Sequence, residues 1–158
     1  MLLLGRLITR NEDETRSLAA RLAVALSAGD VLALTGELGS GKTRFVQGLA
    51  RGMGVPAEIP VTSPTFTLLG IYGQGRLPLY HFDFFRVSCA AELRQIGAEE
   101  YLWGDGVSAV EWADRAREAM PEQALWIDFK QTAQTREIEF YSDAGKWKEI
   151  TGRLVRGG

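Results

Sequence analysis

Residues 36–43 read Gly36-Glu37-Leu38-Gly39-Ser40-Gly41-Lys42-Thr43, the G-x-x-x-x-G-K-[ST] pattern of a phosphate-binding loop. The spacing follows from the chemistry. A triphosphate carries several negative charges, and backbone N–H groups hold them only where the chain curls tightly around the phosphates. That curl needs residues with little or no side chain. Gly36, Gly39 and Gly41 permit it, and Ser40 is small. Amides from Glu37, Leu38, Gly39, Ser40 and Gly41 onward would line the cradle. Lys42 would place its ammonium on the β- and γ-phosphates, and Thr43 would offer its hydroxyl to Mg²⁺.

Turning a nucleotide over requires more than this loop. A carboxylate from a neighbouring strand end must hold Mg²⁺, directly or through water. Three candidates follow apolar runs: Asp83, Glu111 and Asp128. Glu111 closes Val107-Ser108-Ala109-Val110 and precedes Trp112. Asp83 lies inside His81-Phe82-Asp83-Phe84-Phe85-Arg86, where a surface ion pair with Arg86 is the plainer alternative. Asp128, within Trp126-Ile127-Asp128-Phe129, is adequately explained by alternation along a half-exposed strand. Pattern alone leaves Glu111 and Asp83 equal. His81 is the only histidine, and a lone histidine serves structure at least as readily as catalysis. In Ser63-Pro64-Thr65-Phe66 two hydroxyl residues flank a proline, at a distance from the loop that suits a segment sensing the γ-phosphate.

The flanks supply what this loop needs. Asp30 to Thr35 is a short apolar run, as expected of a buried parallel strand. Phe45, Val46, Leu49 and Met53 then fall at helical spacing, closed by Gly52 and Gly54. Upstream, Asn11 is a helix cap, Glu12, Asp13 and Glu14 suit the positive helix end, and Leu18, Leu22 and Leu26 form one face. This helix is expected to end at Gly29-Asp30. Pro56, Pro60 and Pro64 mark a loop. Thr65–Tyr72 and Leu77–Phe82 read as a β-hairpin about Gly73-Gln74-Gly75, with Pro78 at an edge or strand start. Short helices are predicted over 90–95, 99–102 and 113–120, and strands over 107–110, 125–130 and 136–141. The tail after Gly145 shows no clear period. Strand–helix alternation predicts one α/β domain over residues 1–158, with a mixed sheet because of the hairpin.

Composition excludes several classes. The chain has 158 residues, enough for a substantial core, and 46% hydrophobic with 24% charged residues is ordinary for a globular domain. A net charge of −2 without a basic block argues against gripping nucleic acid by phosphate neutralisation. The single cysteine, Cys89, cannot close an internal disulfide, which points to a reducing compartment. No apolar run reaches membrane-spanning length, and Met1–Arg10 lacks a signal-peptide layout, so a cytoplasmic location is expected.

Gly36–Thr43, Ser63–Phe66, His81-Phe82-Asp83 with Arg86, and Glu111-Trp112, in this order and spacing, make the chain resemble the bacterial TsaE (YjeE) ATPases of tRNA threonylcarbamoyladenosine biosynthesis. The similarity runs from about Asn11 to Ile138. It implies a P-loop NTPase-like three-layer fold with a mixed, largely parallel central sheet, binding ATP or ADP with Mg²⁺. By resemblance, Thr43 is a direct magnesium ligand and Glu111 its acidic partner, while Lys42 is the loop lysine. Ser63 and Thr65 lie in a switch-like loop near the γ-phosphate, Asp83 in a second such segment, and Thr15 near the nucleotide base. The family usually carries Tyr where this chain has Phe85, so that phenolic hydroxyl is missing here. The resemblance further implies a slow ATPase stimulated by a TsaB–TsaD-type complex, meeting tRNA only indirectly. Two other readings use the same loop: a small-molecule kinase, for which Arg86 and Arg94 are available but no lid-sized insertion is evident, and a module that holds nucleotide without turnover.

Overall fold

The structure is a computed structural model, described here for residues 1–157. Its elements in chain order are β1 (Leu2–Thr9), α1 (Glu12–Ala23), β2 (Val31–Gly36), α2 (Lys42–Gly52), β3 (Leu69–Tyr72), β4 (Leu79–Asp83), α3 (Ala90–Gln95), α4 (Ala98–Leu102), β5 (Val107–Glu111), a 3₁₀ helix (Ala113–Ala119), β6 (Leu125–Thr132), β7 (Thr135–Ser142) and α5 (Gly145–Gly157). The strands form one seven-stranded sheet in the order β1-β7-β6-β2-β5-β4-β3. Pairings at its centre, β6–β2–β5–β4, are parallel, and those toward both edges are antiparallel.

Alternation along the central strands fills both faces. Leu32 and Leu34 of β2 enter a core with Leu18, Leu22, Phe45, Leu49, Ile127 and Phe129. Val31 and Ala33 enter a second core with Phe82, Phe84, Leu93, Leu102, Val110 and Trp126. The result is three layers: α1, α2 and α5 lie against one face, and the short helices against the other. Each fully buried large apolar side chain contributes about 1.5–3 kcal/mol.

Asn11 caps α1 as its sequence suggests. Its side chain accepts from Glu14 N at 2.8 Å, and Glu14 Oε1 accepts from Arg10 N at 2.9 Å. The helix ends at Ala23, short of Gly29-Asp30, yet Leu26 remains 3% exposed because the following turn keeps it in the core. The hairpin of β3 and β4 forms, with Pro78 just ahead of β4. The Thr65–Leu68 part of the predicted strand is instead a turn. Leu68 N donates to Pro64 O at 2.7 Å, and Leu68 has φ 68, which breaks any extended run.

Two elements lacked a sequence expectation. β1 is an edge strand paired antiparallel to β7, with a register shift between Leu3 and Gly5. α5 buries Trp147, Thr151 and Leu154 on one face. Thr151 Cγ2 and Val155 Cγ2 would lie 2.9 Å from a Cβ at Gly5, so the helix crosses β1 where that strand has no side chain. No helix is long and apolar enough to cross a membrane among the described residues.

The parallel centre determines where a site can form. β2, β4 and β5 point the same way, and the register sets Leu34 and Asp83 each opposite Glu111. The ends of three strands therefore open onto one edge, the usual place for a ligand in such a sheet.

Candidate functional site

The loop after β2 curls as its glycines require. Gly36 has φ 138 and Gly41 φ 113, both in the left-handed range where a side chain is strained. A Cβ on Gly36 would also lie 2.5 Å from Phe129 O and 2.8 Å from Ser40 Oγ. Gly41 caps α2 without a side-chain hydrogen bond, and the first turn carries no acidic residue. The amides and positive dipole end of α2 thus face the loop without a competing side-chain anion. Glu37, Leu38 and Gly39 are exposed, whereas Ser40 is buried beneath them.

Lys42 folds back over this loop. Its Nζ donates to Gly36 O at 2.5 Å and Glu37 O at 2.8 Å, and stands 4.2 Å above the Trp112 ring. Burial pushes its ammonium below the ordinary lysine value, against the pull of Glu111, Asp114, Asp83 and Asp128.

Glu111 ends β5 and reaches the loop from its neighbouring strand. Thr43 Oγ1 donates to Glu111 Oε1 at 3.0 Å, Ser63 Oγ donates to Oε2 at 2.9 Å, and His81 Nε2 lies 2.5 Å from Oε2. Thr43 and Ser63 hydroxyls also meet at 2.7 Å. Burial raises the Glu111 carboxyl, but the His81 contact, followed by the Ser63 and Thr43 hydrogen bonds, outweighs it and holds the group below the usual range. Glu111 is only 3% exposed.

A second knot ties the two candidate switch segments. Asp83, 3% exposed, accepts from Thr65 Oγ1 at 2.8 Å and from Phe85 N at 3.0 Å. Among the described residues no ion pair joins it to Arg86, and the Arg86 guanidinium instead stacks 4.4 Å from the Phe66 ring. Phe85 packs 5.0 Å from Trp112, so aromatic contact persists without a phenolic hydroxyl. Asp128 lies one strand away and accepts from Thr35 Oγ1 at 2.8 Å.

These groups line a cleft of about 780 Å³ that includes Lys42, Thr43, Ser63, Thr65, Asp83 and Glu111. Thr15 lines its far side, where its hydroxyl meets Thr9 Oγ1 at 2.7 Å and its methyl lies near Gly41. Arg10, Gln134 and Arg136 complete that side. Gln134 comes from the β6–β7 turn and Arg136 from the start of β7, far along the chain from the loop, and no local pattern marks them. In the sequence Trp112 stands out only as the neighbour of Glu111. Its place under Lys42 depends on the turn after β5, where it has φ 57.

Among the described residues, no group of three or more His, Cys, Asp or Glu side chains could hold a metal. One hydroxyl and one carboxylate at hydrogen-bond distance suit Mg²⁺ nonetheless, because that ion takes few protein ligands and fills its octahedron with phosphate oxygens and water.

Comparison with known proteins adds to this geometry. A profile of the family described as threonylcarbamoyl adenosine biosynthesis protein TsaE matches residues 9–138. The tRNA threonylcarbamoyladenosine biosynthesis protein TsaE of Bacillus subtilis is 40% identical over 94% of this chain and 92% of its own length. That of Treponema pallidum is 41% identical over 84% and 97%. The crystal structure of Bacillus subtilis YdiB superposes with a TM-score of 0.81 at 34% identity, covering 99% of this chain and 98% of that one.

Proposed function

The chain belongs to the TsaE family, and from that premise we propose that it is a partner-activated ATPase of tRNA threonylcarbamoyladenosine biosynthesis. It would support threonylcarbamoyl modification of the adenosine next to the anticodon, acting with a TsaB–TsaD-type complex rather than performing the transfer. The observation that carries this reading is Glu111 at the end of β5, bonded to Thr43 of the loop at 3.0 Å. A phosphate loop without that carboxylate would bind a nucleotide; with it, a magnesium nucleotide has both its protein partners.

The roles follow from position. Loop amides from Glu37 to Thr43 and the α2 N-terminus hold the β-phosphate region. Lys42 exchanges the Gly36 and Glu37 carbonyls for phosphate oxygens, which replaces two neutral acceptors by an anion. Thr43 and Glu111 would hold Mg²⁺, which when bound neutralises charge on the phosphate oxygens. Ser63 and Thr65 anchor their loop on Glu111 and Asp83, so a γ-phosphate arriving beside them competes for hydroxyls on which that loop depends. The surface displayed by Phe66, Phe85 and Arg86 would then differ between ATP and ADP states, which is what a partner can read. The net charge of −2 supports an indirect relation to tRNA.

The test is phosphate release from ATP and GTP, with and without TsaB and TsaD proteins. Release that rises with the partners and is lost in Lys42→Ala is the expected result. Phosphate transferred to a small acceptor would favour a kinase, and ATP intact after long incubation with the partners would favour a holding module.

A further inference from the structure

His81 is the one histidine of the chain, lies on the central strand β4, and is 0% exposed. Register puts it opposite Ala109, so Glu111 is the next residue along on the same face of the adjacent strand. Both Glu111 oxygens already accept from hydroxyls, Oε1 from Thr43 and Oε2 from Ser63, so the ring supplies the proton in the 2.5 Å contact between His81 Nε2 and Glu111 Oε2. With Ser63 also donating to Oε2, that oxygen is saturated by protein donors. Oε1 meets only Thr43, the other group expected at the ion, at 3.0 Å, although that hydroxyl also lies 3.3 Å from Oε2.

A purely structural histidine accounts poorly for the remaining ring atom. Nδ1 is buried and has no hydrogen-bond partner, a state that costs stability and that a leucine would avoid. The ring's one hydrogen-bonded atom is the nitrogen that faces Glu111. We propose that His81 is a positioning residue for magnesium: its Nε2–H pins one oxygen of Glu111 so that the other is presented beside Thr43. This is the arrangement in which an outer partner orients a metal-binding carboxylate. The inference rests on the nucleotide reading above and adds to it a β4 residue that acts on the ion only through Glu111.

The test separates phosphate binding from ion binding. ADP is titrated calorimetrically into wild-type protein, His81→Leu and His81→Gln without magnesium, and MgCl₂ is then titrated into each ADP complex. Leucine fills the space without a donor, while glutamine keeps an N–H. ADP affinity without the ion is expected to stay within about twofold of wild type, whereas magnesium affinity falls on the order of tenfold in His81→Leu and largely returns in His81→Gln. Unchanged magnesium affinity in His81→Leu, or equal losses with and without the ion, would overturn the proposal. Should His81→Leu fail to fold, the wild-type chain still decides. A single histidine gives a single set of imidazole ¹⁵N signals, expected to show Nε2 protonated and to shift when MgCl₂ is added to the ADP complex. An Nδ1-protonated ring, or signals that do not move, would refute it. No ADP binding by wild type under either condition would instead overturn the nucleotide reading, and this inference with it.

Discussion

Asp83 and Glu111 look alike in the sequence but have different neighbours. Glu111 faces the loop hydroxyl, and Asp83 faces the segment carrying Thr65 and the backbone of Phe85. Asp83→Asn keeps an acceptor for one of these donors. It is expected to bind magnesium ADP within about threefold of wild type while partner-stimulated phosphate release falls by about 10²-fold or more. Equal effects on binding and release, measured by calorimetry and a phosphate assay, would place Asp83 in binding rather than turnover. Away from the cleft, Glu139 is 2% exposed and accepts from Lys130 at 2.8 Å and from Arg6 at 2.7 Å. Lys130 first and Arg6 second lower its carboxyl from 4.5 to about 2, against burial. Its folded value lies below its unfolded one, so its contribution to stability is present above pH 4.5 and disappears as pH falls toward 2. Glu139→Gln is expected to cost about 1–3 kcal/mol at pH 7. Its thermal midpoint should also fall less steeply than that of wild type through this acid range.

At the scale of elements, α1 and α2 pack closely enough that two glycines on α2 have no room for a methyl group. A Cβ on Gly48 would lie 2.7 Å from Arg16 Cα, and one on Gly52 2.6 Å from Ala20 O. Gly48→Ala gains about 1 kcal/mol of helix propensity. Overpacking against backbone costs about 1–3 kcal/mol or more, so the net effect is expected to be destabilising. Because α2 begins at Lys42, displacement of that helix should also weaken ADP binding, which melting curves with and without ADP would reveal. The elements nearest the loop were legible because their signals are local: the apolar run of β2, the Asn11 cap, and the spacing of Phe45, Val46 and Leu49. β1 was hidden because the irregularity at Gly5 breaks its alternation and because an edge strand exposes Leu2, Leu3 and Ile8. α5 was hidden because Gly152 lies within it and one of its three buried contacts is Thr151. The carboxylate pair was legible as candidates and the resemblance named Glu111, but that Glu111 and not Asp83 meets the Thr43 hydroxyl depends on packing between β5 and α2. The cleft wall from Gln134 and Arg136 needed the whole sheet.

For the whole molecule, the site joins groups from β2, α2, β5 and the Ser63–Phe66 loop, so ligand binding is linked to global unfolding. Magnesium ADP at a hundred times its dissociation constant is expected to stabilise the fold by about 2.7 kcal/mol. A rise in thermal midpoint that is absent in Lys42→Ala would show the linkage; an equal rise in both would place the ligand elsewhere. The antiparallel pairing of β1 with β7 sets Leu2 opposite Ser142. A ribosome translating this chain releases β1 into solvent long before its hydrogen-bonding mate has been polymerised. Throughout that interval the backbone N–H and C=O groups of β1 have no strand to pair with, the kind of surface that nascent-chain chaperones shield. That border of the sheet cannot be completed until Thr135–Ser142 has been synthesised.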